Sequence, residues 1–194
     1  LSFLGATSGR DPQDPRAIVV LDIGGGSTEF IVGRGHDVGF HVSTQIGVVR
    51  LSERHLHTDP PAAAELAALA ADARAGFAAA IPAEVRAGVD LMIAVAGTAT
   101  SMASIDQALE PYDPERVDGY TITLAACEAI GARLAAIPEA ERRDTPGLHP
   151  DRAPTIVAGT VLITEAMKTF GLAAAEVSEH DILHGVALDA ATRP

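Results

Sequence analysis

Apolar residues occur along this chain in two rhythms, short dense runs and longer spaced ones. Residues 17–22 read A-I-V-V-L-D, a β-branched run that predicts a buried strand. Residues 27–33 predict a second strand, 34–37 a hairpin turn and 38–43 a third strand. From 46 to 57 the spacing becomes helical. The segment 58–61, T-D-P-P, ends that helix and begins another, with Asp59 as the expected N-cap and a proline in the first turn. The Ala-rich stretch 62–81 places Leu66, Leu69, Ala73, Phe77 and Ala80 on one helical face. Residues 90–95 predict a fourth strand, interior and parallel. A helix follows to residue 109, a loop at 112–115, then helices over 123–136, 139–143 and 152–170. Residues 175–178 predict a fifth strand and 180–190 a closing helix.

An antiparallel three-strand meander followed by strand–helix units is the ribonuclease-H-like arrangement. The expected fold is therefore α/β, a mixed five-stranded sheet with helices on both faces. Residues 8–15 form a polar stretch with two prolines, so 1–16 read as a linker remnant and 17–194 as the domain.

Composition narrows the function classes. Net charge is −12, which disfavours nucleic acid, because duplex binding needs a basic face. The same charge opposes any polyanionic ligand unless arginines are concentrated locally or a divalent cation mediates. The single cysteine, Cys127, rules out an intrachain disulfide and sits in a helical pattern as an inert thiol. No apolar run reaches the roughly 18 residues of a membrane span, and the expected location is cytoplasmic.

Two segments carry candidate chemistry. Asp22-Ile23-Gly24-Gly25-Gly26-Ser27-Thr28-Glu29 follows a buried strand. Its glycines permit positive φ and close approach of backbone N–H groups to an anion, with Ser27 and Thr28 adding hydroxyls. Asp22 and Glu29 are suited to hold a divalent cation. A plain glycine-rich hairpin accounts for the same residues equally well. The second segment, Gly97-Thr98-Ala99-Thr100-Ser101, also follows a strand and opens a helix, where free N–H groups favour phosphate. Alone it reads as an ordinary N-cap. Two such turns at strand ends point to one phosphate group gripped across a cleft.

The segments V-L-D-I-G-G-G-S-T-E-F, I-G-V-V-R-L-S-E-R, D-P-P, A-V-A-G-T-A-T-S, P-G-L-H-P-D-R-A and V-S-E-H-D-I-L-H-G span nearly the whole chain. In content and order they resemble the second domain of the exopolyphosphatase / guanosine-pentaphosphate phosphohydrolase (Ppx/GppA) family, within the actin-like ATPase superfamily. The resemblance implies hydrolysis of terminal phosphoanhydrides of polyphosphate or guanosine pentaphosphate, with Mg²⁺ or Mn²⁺. It makes Asp22 and Glu29 the catalytic, metal-linked carboxylates. Gly24, Gly25, Gly26, Ser27 and Thr28 become the phosphate turn, and Gly97, Thr98, Ala99 and Thr100 the facing loop. The family's first domain ends in an S-G-x-E-E-A-R-L run whose second glutamate is the implied general base. Leu1 matches that run's leucine, so the base is expected upstream, the isolated chain inactive and the full-length protein a homodimer.

Among the arginines, Arg50, Arg54 and Arg152 are candidates to line a phosphate channel, Arg50 first because it closely follows the third strand. They read equally as solvated or paired side chains. His180 and His184, four apart, are read as packing or surface residues rather than metal ligands. Two other readings keep the fold: a guanosine tetra- or pentaphosphate-binding regulator without turnover, and a kinase-like lobe. The short A-T-S-M-A run after Gly97 offers little for a purine and disfavours the kinase.

Overall fold

A computed structural model describes residues 1–192; the last two residues of the expected 17–194 domain lie outside it. In chain order the elements are α1 (Ser2–Thr7), β1 (Ile18–Ile23), β2 (Thr28–Arg34), β3 (Asp37–Thr44), α2 (Val48–His55), α3 (Ala63–Ala80), α4 (Ala83–Ala87), β4 (Leu91–Val95), α5 (Ala96–Asp106), α6 (Pro114–Val117), β5 (Thr121–Thr123), α7 (Leu124–Ala135), α8 (Glu139–Arg142), α9 (Ile156–Phe170), β6 (Ala174–Val177) and α10 (Ile182–Thr192). A 3₁₀ turn, Pro150–Arg152, precedes α9.

The sheet order is β3-β2-β1-β4-β6-β5. β1, β2 and β3 form the expected antiparallel meander, while β4 lies parallel to β1 and β6 parallel to β4. The sheet has six strands rather than five. The extra strand, β5, is only Thr-Ile-Thr and pairs antiparallel with β6 at the sheet's edge. Its last residue, Thr123, also caps α7 by accepting the Ala126 N–H at 3.1 Å.

Alternation along β1 sorts side chains to two faces. Val19, Leu21 and Ile23 enter the larger core with Phe30, Met92 and Ala94, under α3, α5, α7 and α9. There Phe30 meets the Phe77 ring edge-on at 4.9 Å. Ile18 and Val20 join Ile93 and Val95 on the opposite face, closed by Phe3 of α1. So part of the stretch expected as linker is a helix, and it packs against α10 and the sheet.

Asp59 does not cap α3, whose N-cap is Ala62. Glu65 serves that end instead, accepting the Ala62 N–H at 2.9 Å. No helix among the described residues is long and apolar enough to cross a membrane.

Candidate functional site

The site follows from strand register. Asp22 of β1 is aligned with Val95 of β4, and the two strands are parallel. Gly24 and Gly97 therefore leave the same edge of the sheet side by side. Ligand sites in open α/β sheets lie at such carboxyl ends of strands.

The first turn is held from behind by α2. Val48 donates its N–H to Gly24 O at 3.0 Å, and Val49 and Arg50 donate theirs to Gly25 O at 2.9 and 3.2 Å. The Gly24 N–H is also committed, to Ser27 O at 2.9 Å. Among the described residues, the N–H groups of Gly25, Gly26 and Ser27 make no hydrogen bond within the chain. They form the bare donor row of the turn.

Of the two uses expected of these glycines, positive φ and close approach of the backbone, the first is not made. None of Gly24, Gly25 and Gly26 adopts positive φ. Side chains are absent there so that backbone stays uncovered. The glycine required by close approach is Gly47, where a Cβ would stand 2.5 Å from Gly25 O, Gly26 C and Ser27 N.

Thr28 is a correction. Its side chain is fully buried, and its Oγ1 donates to Ile46 O at 2.6 Å, so the hydroxyl is unavailable to a phosphate. Alternation with Phe30 on the core face was the available signal. Glu29 points to the other face, opposite Asp22 in the β1–β2 register, and accepts from Ser43 Oγ at 2.6 Å. Asp22 is half-buried. Burial pushes its carboxyl above the ordinary value, and the negative charges of Glu29 and Asp181 push it further. Asp181, just before α10, was not anticipated at this site.

At the second turn, β4 becomes α5 within one residue. Ala96 takes φ 63°, a left-handed conformation costly for any residue with a Cβ. Neither Thr98, Thr100 nor Ser101 caps α5: the N-cap is Val95, with no side-chain hydrogen bond. The first-turn N–H groups are thus left without a capping side chain.

Thr98 and Ala99 belong to that first turn. Both side chains are buried, Thr98 against Gly159 of α9 and Ala99 in the main core. Only their backbone remains for a ligand. Thr100 is half-buried and, with Ser101, Tyr112, His149, Arg152 and Thr155, borders a cavity of about 630 Å³.

Arginines flank both turns. Arg50 donates from Nε to Gly26 O at 3.1 Å and from Nη2 to Gln45 Oε1 at 3.2 Å. Arg152 lies over the second turn so closely that a Cβ on Gly97 would coincide with its guanidinium. Among the described residues Arg152 makes no ion pair. Arg54, by contrast, pairs with Asp72 at 2.8 Å. Gly97→Ala is expected to displace the Arg152 guanidinium at little cost to the fold, since a flexible side chain can swing aside. Titration with tripolyphosphate should show weaker binding with an unchanged melting temperature; unchanged affinity would mean that Arg152 takes no part in holding the anion.

His180 and His184 stack with ring centroids 4.2 Å apart. Among the described residues no group of three or more His, Cys, Asp or Glu side chains is arranged to hold a metal. Cys127 is buried, and its thiol is pushed up to about 12 by that burial.

The strand order and the paired turns at neighbouring strand ends define an actin-like, ribonuclease-H-type domain. More narrowly, the chain belongs to the Ppx/GppA phosphatase family, whose pattern matches residues 1–193. It is 33% identical to exopolyphosphatase 2 of Mycobacterium tuberculosis over 98% of this chain and 60% of that protein. It is 30% identical to exopolyphosphatase 1 of Mycobacterium bovis, over 88% of this chain and 50% of that one. The Aquifex aeolicus Ppx/GppA enzyme superposes with a TM-score of 0.88 at 27% identity, over 97% of this chain and 61% of that one. The chain thus spans between half and two thirds of the length of these relatives.

Proposed function

We propose that this chain is the phosphate-binding lobe of an enzyme that hydrolyses terminal phosphoanhydrides of polyphosphate or guanosine pentaphosphate. The observation that carries the reading is the pairing of two bare backbone turns on adjacent parallel strands, each with an arginine laid against it. In a chain of net charge −12, this sets two cationic side chains where a phosphate would sit. Similarity to two exopolyphosphatases supports the substrate class.

Asp22 and Glu29 are proposed to hold Mg²⁺ or Mn²⁺. The crowding of Asp22 by Glu29 and Asp181 is of the kind that a cation relieves. Two carboxylates are a sufficient protein share for such an ion, because Mg²⁺ is commonly held by one or two carboxylates together with substrate phosphates. When bound, the ion would neutralise charge on the phosphate oxygens. The chain's own share of the work is positioning. The N–H groups of Gly25, Gly26 and Ser27 and the first turn of α5 orient the terminal phosphate, and Arg50 and Arg152 offset its charge.

A second reading, a guanosine tetra- or pentaphosphate sensor without turnover, draws on the cavity beside Thr100. Tyr112 and His149 at its edge would suit an organic group better than a bare phosphate chain. Full-length protein with Mg²⁺ should release orthophosphate from long-chain polyphosphate or from guanosine pentaphosphate. Release from neither, with tight binding of the nucleotide, would replace the hydrolase reading by the sensor.

A further inference from the structure

Against the turn that carries Arg152 lies a buried charge that the proposed chemistry does not use. Arg142, in α8, is only 4% exposed. Its Nε donates to Leu134 O at 2.9 Å and Ile137 O at 3.1 Å. Its Nη1 donates to Ala153 O at 3.4 Å, and its Nη2 to Asp59 Oδ1 at 2.9 Å. Asp59 in turn accepts the Glu139 N–H with both oxygens at 2.9 Å. One guanidinium thereby ties together the end of α7, the loop bearing Asp59 and the turn that leads into α9.

The tie ends beside the site. Ala153 is fully buried and follows Arg152 directly. The turn between them is itself closed, with Arg152 N–H on His149 O at 2.9 Å and Ala153 N–H on Pro150 O at 3.1 Å. From this fixed point the Arg152 side chain reaches Gly97. The ion pair is buried at its Arg142 end only, the Asp59 side chain being 49% exposed; for a buried charge, fixing one geometry among several is a better-attested use than stability. The D-P-P and P-D-R-A segments, some 90 residues apart, are bridged through the Arg142 guanidinium.

We propose that Asp59 and Arg142 are positioning residues that hold the 150–155 turn so that Arg152 stays over the second phosphate turn. The inference rests on the reading of Arg152 as a phosphate contact.

The test is a double-mutant cycle in the full-length protein, with long-chain polyphosphate and Mg²⁺ as the probe. Arg152→Ala and Arg142→Met should each raise KM about tenfold while leaving kcat within a factor of about two. Arg142→Met added to Arg152→Ala should raise KM no further, since no arginine remains to be positioned. Asp59→Asn, which keeps an acceptor for the Glu139 N–H, should give a smaller rise with the same dependence on Arg152, and serves if Arg142→Met does not fold. Equal KM increments in the presence and absence of Arg152 would overturn the positioning role while leaving the phosphate contact intact. A wild-type KM for Arg152→Ala alone would remove the phosphate contact, and the positioning role with it.

Discussion

Asp22→Asn is expected to lower phosphate release by the full-length protein on the order of 10³-fold while raising the melting temperature at neutral pH. The loss follows from the proposed metal link. A carboxylate that helps to hold a divalent ion contributes several kcal/mol of transition-state charge stabilisation, and about 4 kcal/mol corresponds to such a factor. The gain follows from the site's electrostatics. Folding raises the Asp22 carboxyl above its ordinary value, chiefly by burial and then through Glu29 and Asp181. A raised acid favours the fold only below its unfolded value, and that contribution disappears as pH rises through the folded one. At neutral pH the ionised side chain therefore costs stability, and an uncharged amide of the same shape removes the cost. The difference in melting temperature between variant and wild type should shrink on acidification, as Asp22 itself becomes neutral. Thermal melts at several pH values without added metal would show this. Wild-type release by Asp22→Asn would reject the metal assignment; a lower melting temperature at every pH would mean that Asp22 makes stabilising contacts.

The trade between stability and charge crowding at Asp22 was not visible in the sequence, although the residue was. Asp22 stands at the end of an unmistakable buried run, so its place at a strand end could be read directly. Its neighbour Glu29 follows from a hairpin of known length. Asp181 is far away in sequence, and only the parallel pairing of β4 with β6 brings its loop to the same edge. Arg152 was obscured in the same way. The sequence favoured Arg50 because it is near the meander in sequence, and the structure does seat it on the first turn. Proximity to Gly97, however, depends on how the 3₁₀ turn before α9 folds back, and no local pattern encodes that.

Side-chain direction divides along similar lines. In β2 the period of two fixes Thr28 on the Phe30 side, so its burial was legible and the hydroxyl should have been discounted. In α5 there is no such guide. Thr98, Ala99 and every residue from Ser101 to Ile105 are buried, so the helix has no polar face from which to infer orientation. The meander, the interior parallel strand and the long helices carried strong periodic signals. β5 did not, because three residues cannot establish a period, and α1 was masked by the proline-bearing stretch that follows it.

The second large effect is expected at a residue that touches no ligand. Gly47→Ala should destabilise the protein by about 2–4 kcal/mol, from overpacking together with one or two lost hydrogen bonds. Gly47 has φ −140° and ψ 163°, extended backbone open to alanine, so the effect is purely steric. The added methyl would stand 2.5 Å from three backbone atoms of the glycine turn, and no rotamer change can relieve a clash with backbone. Either α2 or the turn must move, and their separation breaks the bonds from Val48, Val49 and Arg50 to Gly24 and Gly25. Gly26→Ala is the control: its Cβ would meet only the tip of Arg50, at 3.9 Å, and the expected cost is under about 1 kcal/mol. Urea unfolding at constant m-value separates the two; equal midpoints for both variants would refute the backing role of α2. That role explains how three glycines in a row hold a shape. The carbonyls of Gly24, Gly25 and Gly26 are spent on α2 behind the turn, while among the described residues the N–H groups of Gly25, Gly26 and Ser27 make no hydrogen bond. An anion site arranged in advance loses little on binding to order its own donors. Gly47→Ala should therefore weaken phosphate binding more than Gly26→Ala does, although the methyl at residue 26 lies nearer the ligand.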